Sequence, residues 1–194
     1  MKKIAVFCGA SIGFNDVYKD EAIKVGNFFV KNNIGLVYGG GKIGMMGAIA
    51  DTIVEKNGEV IGVIPNLLMH EEVIHDKITK TIITKKMSKR KVIISKIVDG
   101  YIALAGGFGT LDEIFEVLTL GQLGIETKPI GILNTNGFFD YTLKQLDVMV
   151  KEGFLKENNK NMLLVSDNIE DLINKMNNYT PTIISKIVNT VASK

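Results

Sequence analysis

The residues with the clearest chemical potential are Gly106-Gly107-Phe108-Gly109-Thr110-Leu111-Asp112-Glu113. An apolar run, Gly100 to Ala105, precedes them and reads as a buried strand. Leu111, Ile114, Phe115, Leu118 and Leu120 follow at helical spacing, so a helix is expected from near Thr110. Three glycines at such a junction let the backbone approach a ligand closely, without interference from Cβ atoms. The free N–H groups and positive dipole end of the new helix then form an anion site. Glu113 lies one turn further on. Amides for a phosphate beside a carboxylate for hydroxyls or a developing cation would suit a sugar phosphate. The same residues also admit a plain structural role, because Thr110-x-x-Glu113 has the pattern of a capping box.

The rest of the chain must position this stretch. Lys3 to Cys8 reads as a strand, Asp16 to Lys31 as an amphipathic helix and Gly35 to Tyr38 as a second strand. A glycine loop, Gly39-Gly40-Gly41-Lys42-Ile43-Gly44, leads into a helix that ends before Asn57-Gly58. Strands are then expected at Glu59–Ile64, Thr79–Thr84, Lys128–Leu133 and Met162–Val165. Helices are expected at Met87–Val98, Phe138–Lys151 and Asn168–Met176. This alternation implies an α/β fold: right-handed βαβ units forming one parallel sheet of about seven strands, with helices on both faces. The expected division is a domain over 1–178 and a tail helix over 179–194. Ile183, Ile184, Ile187, Val188 and Val191 would line one face of that tail and cover the domain or a second subunit.

Composition narrows the function classes. Of 194 residues 46% are hydrophobic, which suits one globular α/β unit. No apolar run reaches the length of a membrane span, and Met1-Lys2-Lys3 leads straight into a strand. The single Cys8 excludes an intramolecular disulfide and fits a cytoplasmic protein. A net charge of +2 is small, so bulk electrostatics argues neither for nor against nucleic acid.

Other patterns carry less. Gly39-x-Gly41-x-x-Gly44 is a literal dinucleotide fingerprint, but the acid expected about 20 residues later at a strand end is missing. This loop is read instead as a second backbone wall around the same ligand. His70 and His75 are spaced wrongly for a zinc helix and are read as loop residues able to contact a substrate edge. Cys8 is read as a buried, inert thiol. The basic cluster Lys85 to Lys91 sits where the helix dipole disfavours cations, which implies an anionic partner nearby.

Taken together, Met87-x-x-Arg90-Lys91 and Gly106-Gly107-Phe108-Gly109-Thr110-x-x-Glu113 resemble the paired signature of the Lonely Guy proteins, the cytokinin riboside 5′-monophosphate phosphoribohydrolases. Val6 to Ser11, Gly35 to Gly47, Gly58 to Pro65, Gln122-Leu123-Gly124 and Lys128-Pro129 are similar as well. The likeness covers about the first 175 residues. Ala105 stands where the family has proline; it leaves the turn freer and supplies an N–H that proline lacks.

The resemblance implies a modified Rossmann fold and hydrolysis of the N-glycosidic bond of a nucleoside 5′-monophosphate, AMP or an N6-modified AMP. It makes Arg90 and Glu113 the catalytic pair, with Arg90 acting either on the phosphate or on the leaving base. Substrate would be bound by Ser11, Gly39, Gly40, Gly41, Gly44, Met87, Lys91, Gly106, Gly107, Gly109, Thr110 and Glu116. No cofactor or metal is expected; a homodimer is. Related sequences carry the label "possible lysine decarboxylase", although no lysine here has a recognisable pyridoxal-phosphate setting. The rival reading is a non-catalytic Rossmann carrier of a nucleotide or of the molybdenum cofactor.

Overall fold

The strands of this chain are short and mostly apolar. In a computed structural model, which describes residues 1–68 and 74–181, they run in the order β1 (Lys3–Phe7), β2 (Gly35–Tyr38), β3 (Val60–Pro65), β4 (Lys80–Thr84), β5 (Gly100–Ala103), β6 (Ile130–Leu133) and β7 (Leu163–Ser166). Between and after them lie α1 (Asp16–Lys31), α2 (Gly44–Val54), α3 (Met87–Ile97), α4 (Phe108–Gln122), α5 (Asp140–Lys151), α6 (Glu157–Lys160) and α7 (Ile169–Asn177). Every residue of β2, β3, β5 and β6 is buried, as expected of parallel strands covered on both faces. The most exposed is β4, an edge strand with three exposed residues.

All pairings are parallel, and the strand order is β4-β3-β2-β1-β5-β6-β7. One core joins Ala22, Val25 and Phe29 of α1, Ile49 and Ile53 of α2 and Leu172 of α7 to one sheet face. The other joins Ile94 of α3, Ile114 and Val117 of α4 and Leu146 of α5 to the opposite face. The expected seven-stranded α/β architecture is therefore present. Strand order reverses between β1 and β5, so the chain leaves those neighbouring strands in opposite directions and opens a crevice at their carboxyl ends.

Helix ends follow local chemistry where side chains can supply it. Asn15 accepts from Val17 N–H at 3.0 Å to start α1, and Asn168 accepts from Glu170 and Asp171 N–H to start α7. Asn33 and Asn57 adopt positive φ after α1 and α2, as Asn does more readily than most residues. The start of α4 differs. Gly107 is its N-cap, no side chain caps it, and Thr110 is its third residue. The expected start at Thr110 is corrected to Phe108, and the capping box does not form. Extended Gly107 takes the cap position, while Glu113 is drawn to Arg90.

His70 and the tail positions Ile183, Ile184, Ile187, Val188 and Val191 lie outside the described residues.

Candidate active site

Three loops meet in the crevice, and Gly9 ties them together. Its N–H donates to Ala105 C=O at 3.0 Å, and its C=O accepts from Met45 N–H at 3.1 Å. The loops after β1, β2 and β5 are thus laced by backbone bonds. The β5 exit keeps its turn with Ala105 in place of proline, and the Ala105 carbonyl is one of the lacing groups.

Close packing requires glycine at two of these positions. A methyl on Gly106 would lie 2.1 Å from Thr110 Oγ1, and one on Gly44 would lie 2.2 Å from the Ala10 backbone. Gly107 and Gly109 are different. A methyl on either would meet nothing within 4 Å, so the start of α4 faces open space. An uncapped helix start with open ground in front of it is suited to an anion.

That start borders a cavity of about 320 Å³, whose walls include Cys8, Met46, Met87, Arg90, Thr110 and Glu113. Arg90 Nη2 and Glu113 Oε1 form an ion pair of 3.0 Å, with side chains only 10% and 13% exposed. The pair joins α3 to α4 across the cavity wall. Gly39 makes room for it, since a methyl there would approach Arg90 Nη2 and Met46 Sδ to 2.9 Å. Arg90 Nε is buried and has no hydrogen-bond partner among the described residues. Such an unmet donor has a real cost, which a ligand acceptor would remove. Beneath the pair, burial and then the Glu113 charge push the Cys8 thiol pKa well up, so Cys8 is a neutral wall residue.

A second cavity of about 380 Å³ adjoins the first through Gly9, Ala10 and Gly107. Ser11, Gly106, Tyr18 and Phe138 contribute to its lining. Ser11 Oγ itself accepts from Gly13 N–H at 3.2 Å.

The other expected residues lie elsewhere. Gly40 C=O accepts from His75 N–H at 3.0 Å, and Gly41 bridges Ile74, so this part of the glycine loop is engaged within the fold. Lys91 pairs with Asp112 at 2.8 Å and with Glu116. Partial burial opposes its charge, yet those carboxylates raise the Lys91 pKa overall. Lys91 and Glu116 line a mostly apolar cavity of about 340 Å³ that shares Glu113 with the first. The anionic partners that the basic cluster implied are thus, for Arg90 and Lys91, carboxylates of α4.

His75 is no substrate contact in this arrangement. It is buried, its Nε2 meets Asp51 of α2 at 3.0 Å, and its Nδ1 accepts from Lys77 N–H at 3.2 Å. Among the described residues, no three His, Cys, Asp or Glu side chains gather as a metal site would require, and no helix is long and apolar enough to cross a membrane.

Gly9, Ala10, Met46, Leu68 and Asp112 line the main cavity but were missed as site residues. Only the position of Gly9 and Ala10 after the first strand could have flagged them, through the crevice that parallel sheets open at strand ends.

Comparison with known proteins gives the family of the chain. Residues 46–176 match the family described as "Possible lysine decarboxylase". Cytokinin riboside 5′-monophosphate phosphoribohydrolase LOG1 of Arabidopsis thaliana is 41% identical over 180 residues, covering 93% of this chain and 84% of that protein. The rice enzyme LOG, of Oryza sativa subsp. japonica, is 39% identical over 93% of this chain and 74% of its own. Among solved structures, the molybdenum cofactor binding protein of Rippkaea orientalis superposes with a TM-score of 0.67 at 21% identity, covering 90% of this chain and 94% of that one. At that identity the likeness speaks for the fold. The paired Arg90 and Glu113 motifs and the two plant relatives speak for more: the chain belongs to the Lonely Guy family, whose sequences fall under the "possible lysine decarboxylase" description.

Proposed function

We propose that this protein hydrolyses the N-glycosidic bond of a nucleoside 5′-monophosphate, AMP or an N6-modified AMP, to the free base and ribose 5-phosphate. The observation that carries this reading is the buried Arg90–Glu113 pair beside an uncapped, open helix start. The α4 amides around Gly107 and Gly109 receive the phosphate. This places the ribose toward Glu113.

Breaking the C1′–N bond leaves its electron pair on the base and positive charge on the ribose. The Glu113 carboxylate stabilises that charge and orients or deprotonates the attacking water, whose oxygen bonds to C1′. The proton is transferred to the departing base. Arg90 holds Glu113 in place, and its unmet Nε N–H offers a donor to the ligand. A carrier would need amides for an anion but no carboxylate held at the sugar.

The test is incubation with AMP or adenosine, followed by chromatography for free adenine. AMP is cleaved and adenosine is not, because binding of the remote phosphate helps to assemble the transition state. Equal turnover of both, or none of either, overturns the reading.

The enzyme is further inferred to be a cytoplasmic homodimer. The lone buried Cys8 supports the compartment, and exposed Val92 and Ile125 beside the apolar cavity support a self-association face. Sedimentation at the mass of one chain would remove the dimer.

A further inference from the structure

Helix α3 carries Arg90, and its apolar packing comes from buried Ile94 and half-buried Ile93 and Ile97. Of its eleven residues only Arg90 and Ile94 are buried, and no side chain caps its start. Exposed Lys86 and Lys89 lie at that start, where the dipole disfavours them. Polar contacts add to that packing at both ends of the helix. Near the site, Arg90 meets Glu113, and Lys91 meets Asp112 and Glu116.

A second grip acts further along, at Ser95. Its Oγ donates to Glu126 Oε2 at 2.9 Å, and its C=O accepts from Lys128 Nζ at 2.7 Å. That carbonyl belongs to the last turn of α3, where carbonyls lack helical partners and a cation is favoured. Lys128 Nζ also donates to Glu126 Oε2 at 3.0 Å.

The grip is itself rigidly held. Glu126 is buried; its Oε1 accepts from the N–H of Thr127 at 2.9 Å and of Lys128 at 3.2 Å, and the Tyr101 hydroxyl of β5 donates to Oε2. Burial alone would raise the Glu126 pKa, but these bonds outweigh it and hold the carboxyl below its usual range. One ionised side chain thereby joins α3, β5 and the loop before β6. Ser95 lies five residues beyond Arg90, about 7.5 Å of helix rise.

We propose that Glu126 and Lys128 are positioning residues, which fix α3 along its axis and so hold Arg90 against Glu113. Their catalytic consequence rests on the hydrolase reading above; the mechanical one does not.

The test uses Lys128→Met, with Ser95→Ala as the milder variant should the first not fold. Two readouts are needed. Hydrogen exchange followed by peptide mass spectrometry should quicken about tenfold in Met87–Ile94 while α7 is unchanged, as expected for local loosening. Turnover of AMP per folded molecule should fall about tenfold, since small displacements of a catalytic group are costly. In an Arg90→Lys background the same change should add about twofold or less, because both act through one group.

Unchanged exchange in α3 overturns the proposal. So does an equal fall in activity in both backgrounds, which a general loss of fold would produce. If the wild-type protein leaves AMP intact, the hydrolase reading fails, and the exchange measurement still decides whether this grip holds α3.

Discussion

The molecule has two glycine loops at the same edge of its sheet, and they do opposite work. In the loop after β2 the glycines are filled in by the fold: Gly44 lies against Ala10, Gly47 against Lys42 C=O and Gly39 against Arg90. In the loop after β5, Gly106 is similarly packed, but Gly107 and Gly109 have nothing before them within 4 Å. The first loop is a bracket that locks neighbouring segments together. The second, under the proposed function, is a landing surface for the phosphate. Glycine permits close approach in both; only the neighbours decide whether protein or ligand makes that approach.

The largest expected effect lies beside the landing surface. Glu113→Gln should lower the turnover of AMP by about 10²-fold to 10⁴-fold, as for other losses of a positioned acid–base group. It should also cost about 2–3 kcal/mol in urea unfolding, because buried Arg90 loses its counter-charge. A capping box would predict a smaller stability loss and full turnover, so steady-state kinetics and unfolding together separate the readings.

Gly44→Ala tests the bracket. It places a methyl at positive φ, 2.2 Å from backbone that cannot move aside without shifting the β1 loop. A loss of about 3 kcal/mol or more is expected from strain and clash combined. Normal stability in this variant would show that the two loops do not differ as described.

Gly109→Ala should act in the opposite direction on stability. Gly109 is a helical residue of α4 with open space beyond it. Alanine should raise stability by about 0.5–1 kcal/mol through helix propensity. The added methyl should obstruct the phosphate and raise KM for AMP by about tenfold, equivalent to about 1.4 kcal/mol. Thermal melts and kinetics on the same preparation check both signs.

Much of this was open to reading in the chain itself, for reasons visible in particular elements. The buried strands appear as unbroken apolar runs because both sheet faces are covered, and α1 begins and ends on asparagines whose preferences are local. Arg90 and Glu113 stand out in motifs that are specific at short range, and the fold brings the two side chains together. The start of α4 was misplaced by two residues, since Thr110 and Glu113 suit a cap as well as a buried turn and an ion pair. Lys91 and Glu116, read as ligand contacts, are also paired with each other by the fold, which their local sequence does not announce.

Composition, periodicity and short motifs thus determined the α/β class and the order of elements, and singled out Arg90 and Glu113, because each depends on residues within a few positions. Tertiary structure alone decided which glycines are filled and which are open. It also placed His75 on Asp51 and joined Ser95 to Glu126 and Lys128. Those contacts span 24 to 33 residues in sequence. Their partners are chosen by where the sheet brings separate loops and helices together, and no local pattern encodes that choice.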